Sequence, residues 1–308
     1  MTTPKRKLCH WQQPEVIAHE LIKNWGKDGF IWLDGDGSKT GRWITLAVDP
    51  IQQICCRGLP SDPQSSNPFE ALRHLDHGHW TGWLSYEAGT WIEPFNPWRN
   101  DEMAILWMAS HDPVLKFDLQ KQQLWLEGNN EKRFQNLANW LKKISRQDAA
   151  CKNEIEVPLT KHSHRIPISS WTWLTKKDEY SRNVNKIRNL IASGDIFQAN
   201  LTACCKTELP HNLEAINLFQ SLRKYSPAPF GGVIIGAGEA QNEAIISASP
   251  ERFLKVLPTG EVETRPIKGT RPRLSQREAD ADMATELICS PKDRAENIMI
   301  VDLLRNDL

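Results

Sequence analysis

No run of about 18 apolar residues occurs in this chain, so no transmembrane helix is expected. Its opening, Met1 to Trp11, is charged and no apolar core follows it, which argues against a secretory signal. No charge of one sign dominates either. Lys plus Arg equals Asp plus Glu at 38 each, with 20 of each sign before residue 174 and 18 of each after it. Without a basic half or an acidic tail, neither nucleic acid nor an anionic membrane is an expected partner. The C-x-x-C spacing of zinc and redox sites is missing as well. The seven cysteines are odd in number, and Cys55-Cys56 and Cys204-Cys205 are directly adjacent, which suits no disulfide framework. A cytoplasmic, reducing location fits best.

What is present suffices for a sizeable core. With 40% hydrophobic and 25% charged residues over 308 positions, the chain has the composition of a globular protein of one large or two average domains. All thirteen tryptophans lie between Trp11 and Trp173, and all nine histidines precede residue 212. This shift suggests a region over 1–150 and a second over 175–308. The stretch 145–170 between them is polar, has two prolines and shows no sustained period.

Phe30–Leu33 and Trp43–Val48 flank the turn Asp34–Gly41 and read as a hairpin. That turn mimics two ligand loops and satisfies neither. Lys39 stands where a calcium loop starting at Asp34 needs glycine, Thr45 stands at its closing Glu, and no glycine directly precedes Lys39 as a P-loop requires. Further on, Thr175 with Asp178 reads as a capping box for a helix ended by Gly194. Phe197–Leu209 alternates like a strand, and Leu213–Tyr225 reads as a helix. Gly232–Gly236, Ala244–Ser249, Phe253–Leu257 and Val262–Ile267 read as short strands, the last two a hairpin about Thr259-Gly260. Ser275 with Glu278, and Ser290-Pro291 with Asp293, start two more helices. The order predicts an α+β fold with a large, mostly antiparallel sheet core and flanking helices.

Three segments hold residue types suited to chemistry. Thr264–Arg273 gathers Arg265, Lys268, Arg271 and Arg273 around turns that expose backbone amides, a fit receptor for a small polyanion. A solvated basic turn is the plainer reading. A free lysine titrates at about 10.4. Partial burial and three nearby guanidiniums would lower that value for Lys268 and yield a nucleophilic amine. In Pro291–Leu308 apolar residues surround the helix, predicting burial, so Glu296 should be paired or bind a metal. An ion pair with Lys292 or an arginine is the structural alternative. Glu251, just past the strand Ala244–Ser249, is placed for acid/base work or for an exposed pair with Arg252. His74, His77 and His79, or His162 and His164, lack a Cys or carboxylate at metal-ligand spacing, and the tryptophans read as core.

Together, GDIFQANLT (194–202), SASPERFL (247–254) with ETRPIKGTRPR (263–273), and ELICSPKDRAENIMIVDLLRNDL (286–308) resemble the chorismate-using enzymes related to anthranilate synthase component I. The resemblance is specific over 175–308 and looser over 1–150, where GWLSYEAG (82–89) is similar to a glycine–tyrosine element of the family. It implies the anthranilate synthase component I fold. Lysine in the P-I-x-G-T motif, where anthranilate synthases carry alanine, resembles the aminodeoxychorismate synthases. The resemblance then implies that Lys268 attacks C2 of chorismate and that ammonia enters at C4, giving 4-amino-4-deoxychorismate for 4-aminobenzoate and folate synthesis. It makes Glu251 the acid/base residue, Glu296 a Mg²⁺ ligand, and Gly269 and Thr270 substrate contacts. Ammonia would come from a glutamine amidotransferase subunit in a heterodimer. A tryptophan pocket is implied around Arg42 and Trp43, with Pro229 and Phe230 opposite. Family members continue past the point matched by Leu308, so the C-terminal part of the fold is expected to be absent and the 308-residue chain inactive or poorly folded. Anthranilate synthase component I, or a non-catalytic binding subunit, are the alternatives.

Overall fold

A half-buried strand needs apolar residues at alternate positions and a partner for its backbone, and much of the first half of the chain supplies both. The structure, a computed structural model, describes residues 4–93, 102–150, 166–211 and 213–308. The chain runs β1 (Lys5–Cys9), α1 (Pro14–Trp25), β2 (Ile31–Leu33), β3 (Trp43–Ala47), β4 (Gln52–Cys56), α2 (Pro68–Arg73), β5 (His79–Leu84), β6 (Leu106–His111), β7 (Val114–Asp118), β8 (Gln123–Gly128) and α3 (Glu131–Ala150). It continues through β9 (Thr172–Trp173), α4 (Lys177–Ser193), β10 (Cys205–Lys206), α5 (Ala215–Tyr225), β11 (Phe230–Ile235), β12 (Ala244–Ser249), β13 (Lys255–Val256), β14 (Val262–Glu263), α6 (Arg277–Cys289) and α7 (Pro291–Asp307). Most of the polar stretch between the two sequence regions, and with it His162, His164 and Cys151, lies outside the described residues.

Seven strands form one sheet in the order β1-β8-β7-β3-β2-β11-β12, and β4-β6-β5 form another. Every pair in both is antiparallel, so the fold is α+β around a large antiparallel sheet. The expected hairpin is β2–β3, with Trp32 opposite Leu46 on one side and Val233 on the other. Strands from both sequence regions therefore share one sheet.

Residues 1–157 with 219–308 form one compact unit, and 158–218 form another. In the larger unit α1 buries Ile17, Ala18 and Leu21, and α3 buries Phe134, Leu137, Ala138 and Leu141. Trp32 meets Phe219 edge to face, with centroids 5.2 Å apart. Gly82 lets β5 close on β6, because a Cβ there would lie 1.8 Å from the Trp107 carbonyl oxygen. Trp83 and Trp107 stack at 5.0 Å, and the Trp107 indole N–H donates to the Ala237 carbonyl at 3.1 Å. These tryptophans are core, as the sequence predicts. The described cysteines are all free.

Asp34 does more than start a turn. It accepts the Trp32 indole N–H at 3.0 Å and Arg223 Nε at 2.6 Å, and Arg223 also pairs with Glu15 of α1. A buried carboxylate needs such partners, and these tie β2, α1 and the end of α5 together. The neighbouring Asp36 stays within the turn, accepting the Ser38 N–H at 2.9 Å.

In the smaller unit α4 ends at Gly194, which takes the left-handed conformation (φ 82°) expected of it. The cap is not the expected box: Lys176 holds the N-cap position with no side-chain bond, which leaves Thr175 one residue too early. In the larger unit Ser275 fails likewise, because α6 starts after Gln276. Of the alternating run 197–209 only Cys205–Lys206 pairs, with Thr172–Trp173. Alternation makes a ladder only where another strand takes the hydrogen bonds. In the larger unit the strands expected at 253–257 and 262–267 shorten to β13 and β14, the hairpin itself being present.

His111 at the end of β6 is 1% exposed and bonds through Nε2 to the Gly29 carbonyl at 2.9 Å. Burial pushes its imidazole down to about 4 from an ordinary 6.5. Between those values the unfolded chain binds a proton that the folded chain refuses, so stability falls as pH drops through that window. The loss should reach about 3 kcal/mol by pH 4. Urea unfolding from pH 7 to 4 should show this slope, and H111Q should flatten it; an unchanged slope in H111Q would place the acid lability elsewhere.

Candidate active site

Strand β12 ends at Ser249, whose hydroxyl donates to the Glu251 carbonyl at 2.9 Å. This turn carries the Glu251 side chain to the basic loop, where Oε1 accepts the Ile267 N–H at 3.0 Å. Glu251 is thereby anchored one residue from Lys268. Arg252 turns instead to Glu263 and lies over the Phe230 ring at 5.6 Å, so the pair of adjacent side chains allowed by the sequence is not formed.

Hairpin β13–β14 leads into the loop 264–274. Its three arginines are all met by carboxylates: Arg265 by Glu263 at 2.5 Å, Arg273 by Asp280 at 2.8 Å, and Arg271 by Glu286 at 2.8 Å and Asp293 at 3.1 Å. This corrects the expectation of bare guanidiniums pressing on Lys268, because opposite charges at contact largely cancel one another's fields at a distance. Lys268, half-buried, has no ion pair among the described residues, and neither has Arg294.

Arg271 joins the loop to both α6 and α7. The seam is tight. Gly269 has φ +69°, and a Cβ on it would lie 2.8 Å from Asp293 Cγ and 2.9 Å from Leu287 Cδ1. Helix α7 begins as the sequence predicts, with the Ser290 hydroxyl accepting the Asp293 N–H at 3.3 Å and Pro291 in the first turn. The Ser290 hydroxyl, and then Arg271, hold the Asp293 carboxyl below the usual carboxylate range. Thr270 is exposed, and its carbonyl accepts from Arg271 at 2.9 Å.

Between loop and helices lies an open cavity of about 400 Å³. Lys268 lines it from the loop, Leu287 and Ile288 from α6, and Asp293, Arg294, Asn297 and Ile298 from α7. The last four share one face of α7 by their spacing, a signal present in the sequence that points to Arg294 and Asn297 once Lys268 is set beside that helix. Glu296 lies off this face.

The helix itself is not enclosed. Ile300 is its one buried residue, Ile298, Val301 and Leu303 are exposed, and Glu296 is half-buried without the pair to Lys292. The expectation of an all-round buried helix thus fails: apolar residues on every side mark a helix for burial, but nothing in the described residues covers most of this one. No three His, Cys, Asp or Glu side chains converge on a metal position among the described residues. A Mg²⁺ ion would take Glu296 as one oxygen ligand and would need others that the described residues do not gather there.

The end of the turn before Arg42 and β3 adjoins Pro229, since a Cβ on Gly41 would lie 2.6 Å from the Pro229 Cα. Arg42 Nε donates to Asp118 at 2.8 Å, and its guanidinium lies 5.3 Å from the Trp43 ring.

The profile of the chorismate binding enzymes matches residues 30–308, and the chain belongs to that family. Aminodeoxychorismate synthase component 1 of Salmonella typhimurium is 39% identical over 280 residues, covering 87% of this chain and 54% of that protein. An anthranilate synthase component I-like protein of Synechocystis is 32% identical over 274 residues, covering 88% of this chain and 53% of the relative. The crystal structure of anthranilate synthase component I from Streptococcus pneumoniae superposes with a TM-score of 0.58 at 20% identity, covering 86% of this chain and 61% of that one. The fold is therefore of anthranilate synthase component I type. The chain spans about half the length of these two curated relatives.

Gly269→Ala tests the seam. The left-handed backbone alone costs about 1–2 kcal/mol for alanine, and the contact with Asp293 adds to it. Thermal unfolding should shift down; an unchanged midpoint would mean that the loop does not sit on α7 as described.

Proposed function

We propose that this chain aminates chorismate at C4 to give 4-amino-4-deoxychorismate, the step that leads to 4-aminobenzoate and folate. The observation that carries the reading is Lys268, an unpaired amine in a cavity, one residue from the backbone amide that holds Glu251. In the proposed first step the Lys268 amine bonds to C2, both ring double bonds shift by one position, and the C4 hydroxyl departs as water with a proton from Glu251. Oε1 of Glu251 is engaged by Ile267, so Oε2 is the oxygen that delivers the proton. Ammonia then bonds to C4, both double bonds return, the lysine leaves C2 as a neutral amine, and the ammonium formed at C4 gives a proton back to Glu251. The balance is chorismate plus ammonia giving product plus water. Gly269 and Thr270 contact the substrate in this reading. Glu296 would be one ligand of Mg²⁺, which would supply charge stabilisation when bound.

Ammonia reaches the site from a glutamine amidotransferase subunit, in a heterodimer working in the cytoplasm. Ammonium salts should therefore replace that subunit in vitro. Incubation with chorismate and Mg²⁺ should add the mass of chorismate less one water to the intact protein, and Lys268→Ala should abolish the adduct. An adduct of the same mass in Lys268→Ala would sink the assignment. The second reading, anthranilate synthase component I, is favoured by the name of the Synechocystis relative. Product analysis separates the two, because anthranilate has lost pyruvate.

A tryptophan site lined by Arg42, Trp43, Pro229 and Phe230 is proposed beside the close contact of Gly41 with Pro229. Calorimetric titration should give saturable heat that Trp43→Ala removes; a flat titration of the unaltered chain would dispose of the pocket.

A further inference from the structure

The turn after β12 has little apolar packing to hold it. Phe253 is exposed, and so is Glu251. Bonds must therefore fix where Glu251 points, and three of them cross from this turn to the hairpin β13–β14 and the loop behind it. Glu251 Oε1 accepts the Ile267 N–H at 3.0 Å, the Thr264 hydroxyl donates to the Phe253 carbonyl at 2.8 Å, and Arg252 pairs with Glu263. We propose that Arg252 is a positioning residue, whose pair with Glu263 keeps the Glu251 carboxylate on the Ile267 amide and so beside Lys268. The role of Glu251 as proton donor rests on the amination reading; the placement of its carboxylate does not. Arg252 makes the one ion pair between turn and hairpin among the described residues. Phe230 of β11 backs its guanidinium at 5.6 Å, so the charge is held between the sheet and β14. Its Nε is buried without a hydrogen-bond partner, which makes Glu263 the carboxylate this half-buried charge depends on. Glu263 is itself fixed from both sides, Oε1 taking Arg252 and Oε2 taking Arg265. Arg252 does not line the cavity, so it acts through Glu251 and not on the substrate. Without the pair, an exposed carboxylate bonded to a single N–H spends more of its time in solvent.

Amide exchange at Ile267, read by NMR on the full chain without ligand, reports on the Glu251 bond directly. Glu251→Ala sets the rate in the absence of that bond. Arg252→Ala should speed exchange at Ile267 about fivefold, the scale of a partly buried ion pair. Leu257, whose N–H donates to the Glu261 carbonyl at the hairpin tip, should exchange as in the unaltered chain. Arg252→Lys, which keeps the charge and loses the planar fork, should fall between. Glu263→Gln should match Arg252→Ala, and the double variant should lose no more than the worse single one, because both remove the same interaction. The chemical consequence is read as growth of the Lys268 adduct by intact mass. At saturating chorismate Arg252→Ala should slow it about fivefold, and the half-saturating concentration should move by less than about twofold. Thermal melts of each variant separate lost placement from lost folding. An unchanged Ile267 amide in a folded Arg252→Ala would overturn the placement. Equal acceleration at Ile267 and Leu257 would overturn it too, by making Arg252 a support of the whole hairpin. A freed Ile267 amide with an unchanged adduct rate would overturn the part of Arg252 in the reaction. Absence of any adduct from the unaltered chain would bring down the amination reading alone, and the Ile267 amide would still decide the placement.

Discussion

Arg271 is the residue on which the candidate site depends. One guanidinium reaches Glu286 on α6 and Asp293 on α7 while its backbone belongs to the basic loop. Without it the loop keeps only the Arg273–Asp280 pair to α6 and has no charge-assisted tie to α7. Gly269 adds a constraint of shape, since only a residue without a Cβ fits between Asp293 and Leu287 at that backbone angle. Charge pairing and close packing thus act on neighbouring residues of one loop. Their joint result is to set Lys268 on the cavity wall without an ion pair among the described residues.

Another device works at the sheet. There Asp34, Arg223 and Glu15 form a network beside Trp32, and the charges are partly withdrawn from water. Such groups are tolerated inside a fold only when each finds its partner. The two ends of the larger unit therefore use ion pairs differently. At Asp34 they reconcile charge with a core, and at Arg271 they aim a surface loop.

The sequence was most legible where structure is local. The hairpin β2–β3 follows from alternation on both sides of a glycine-rich turn, and the start of α7 from Ser290, Pro291 and Asp293 within four residues. Legibility failed where the answer depends on distant partners. The run 197–209 alternates well, yet only two of its residues meet another strand. The three arginines of the loop looked like a bare basic patch because Asp280, Glu286 and Asp293, which neutralise Arg273 and Arg271, come later in the chain and on helices. Lys268 and Glu251 could be singled out from residue type and motif. Arg294 could not, because its spacing on α7 gains meaning only when Lys268 stands across from that face. Glu296 shows the reverse, a residue marked by its motif that lies off the cavity face.

The central claim is that chorismate occupies the space between the loop and α7. Amide hydrogen exchange with and without chorismate tests it most directly, because it reports on each segment without altering a residue. The account predicts slowed exchange over 264–273 and 290–301 when chorismate is present. Protection confined to the hairpin at 31–47, with those two segments unchanged, would contradict it.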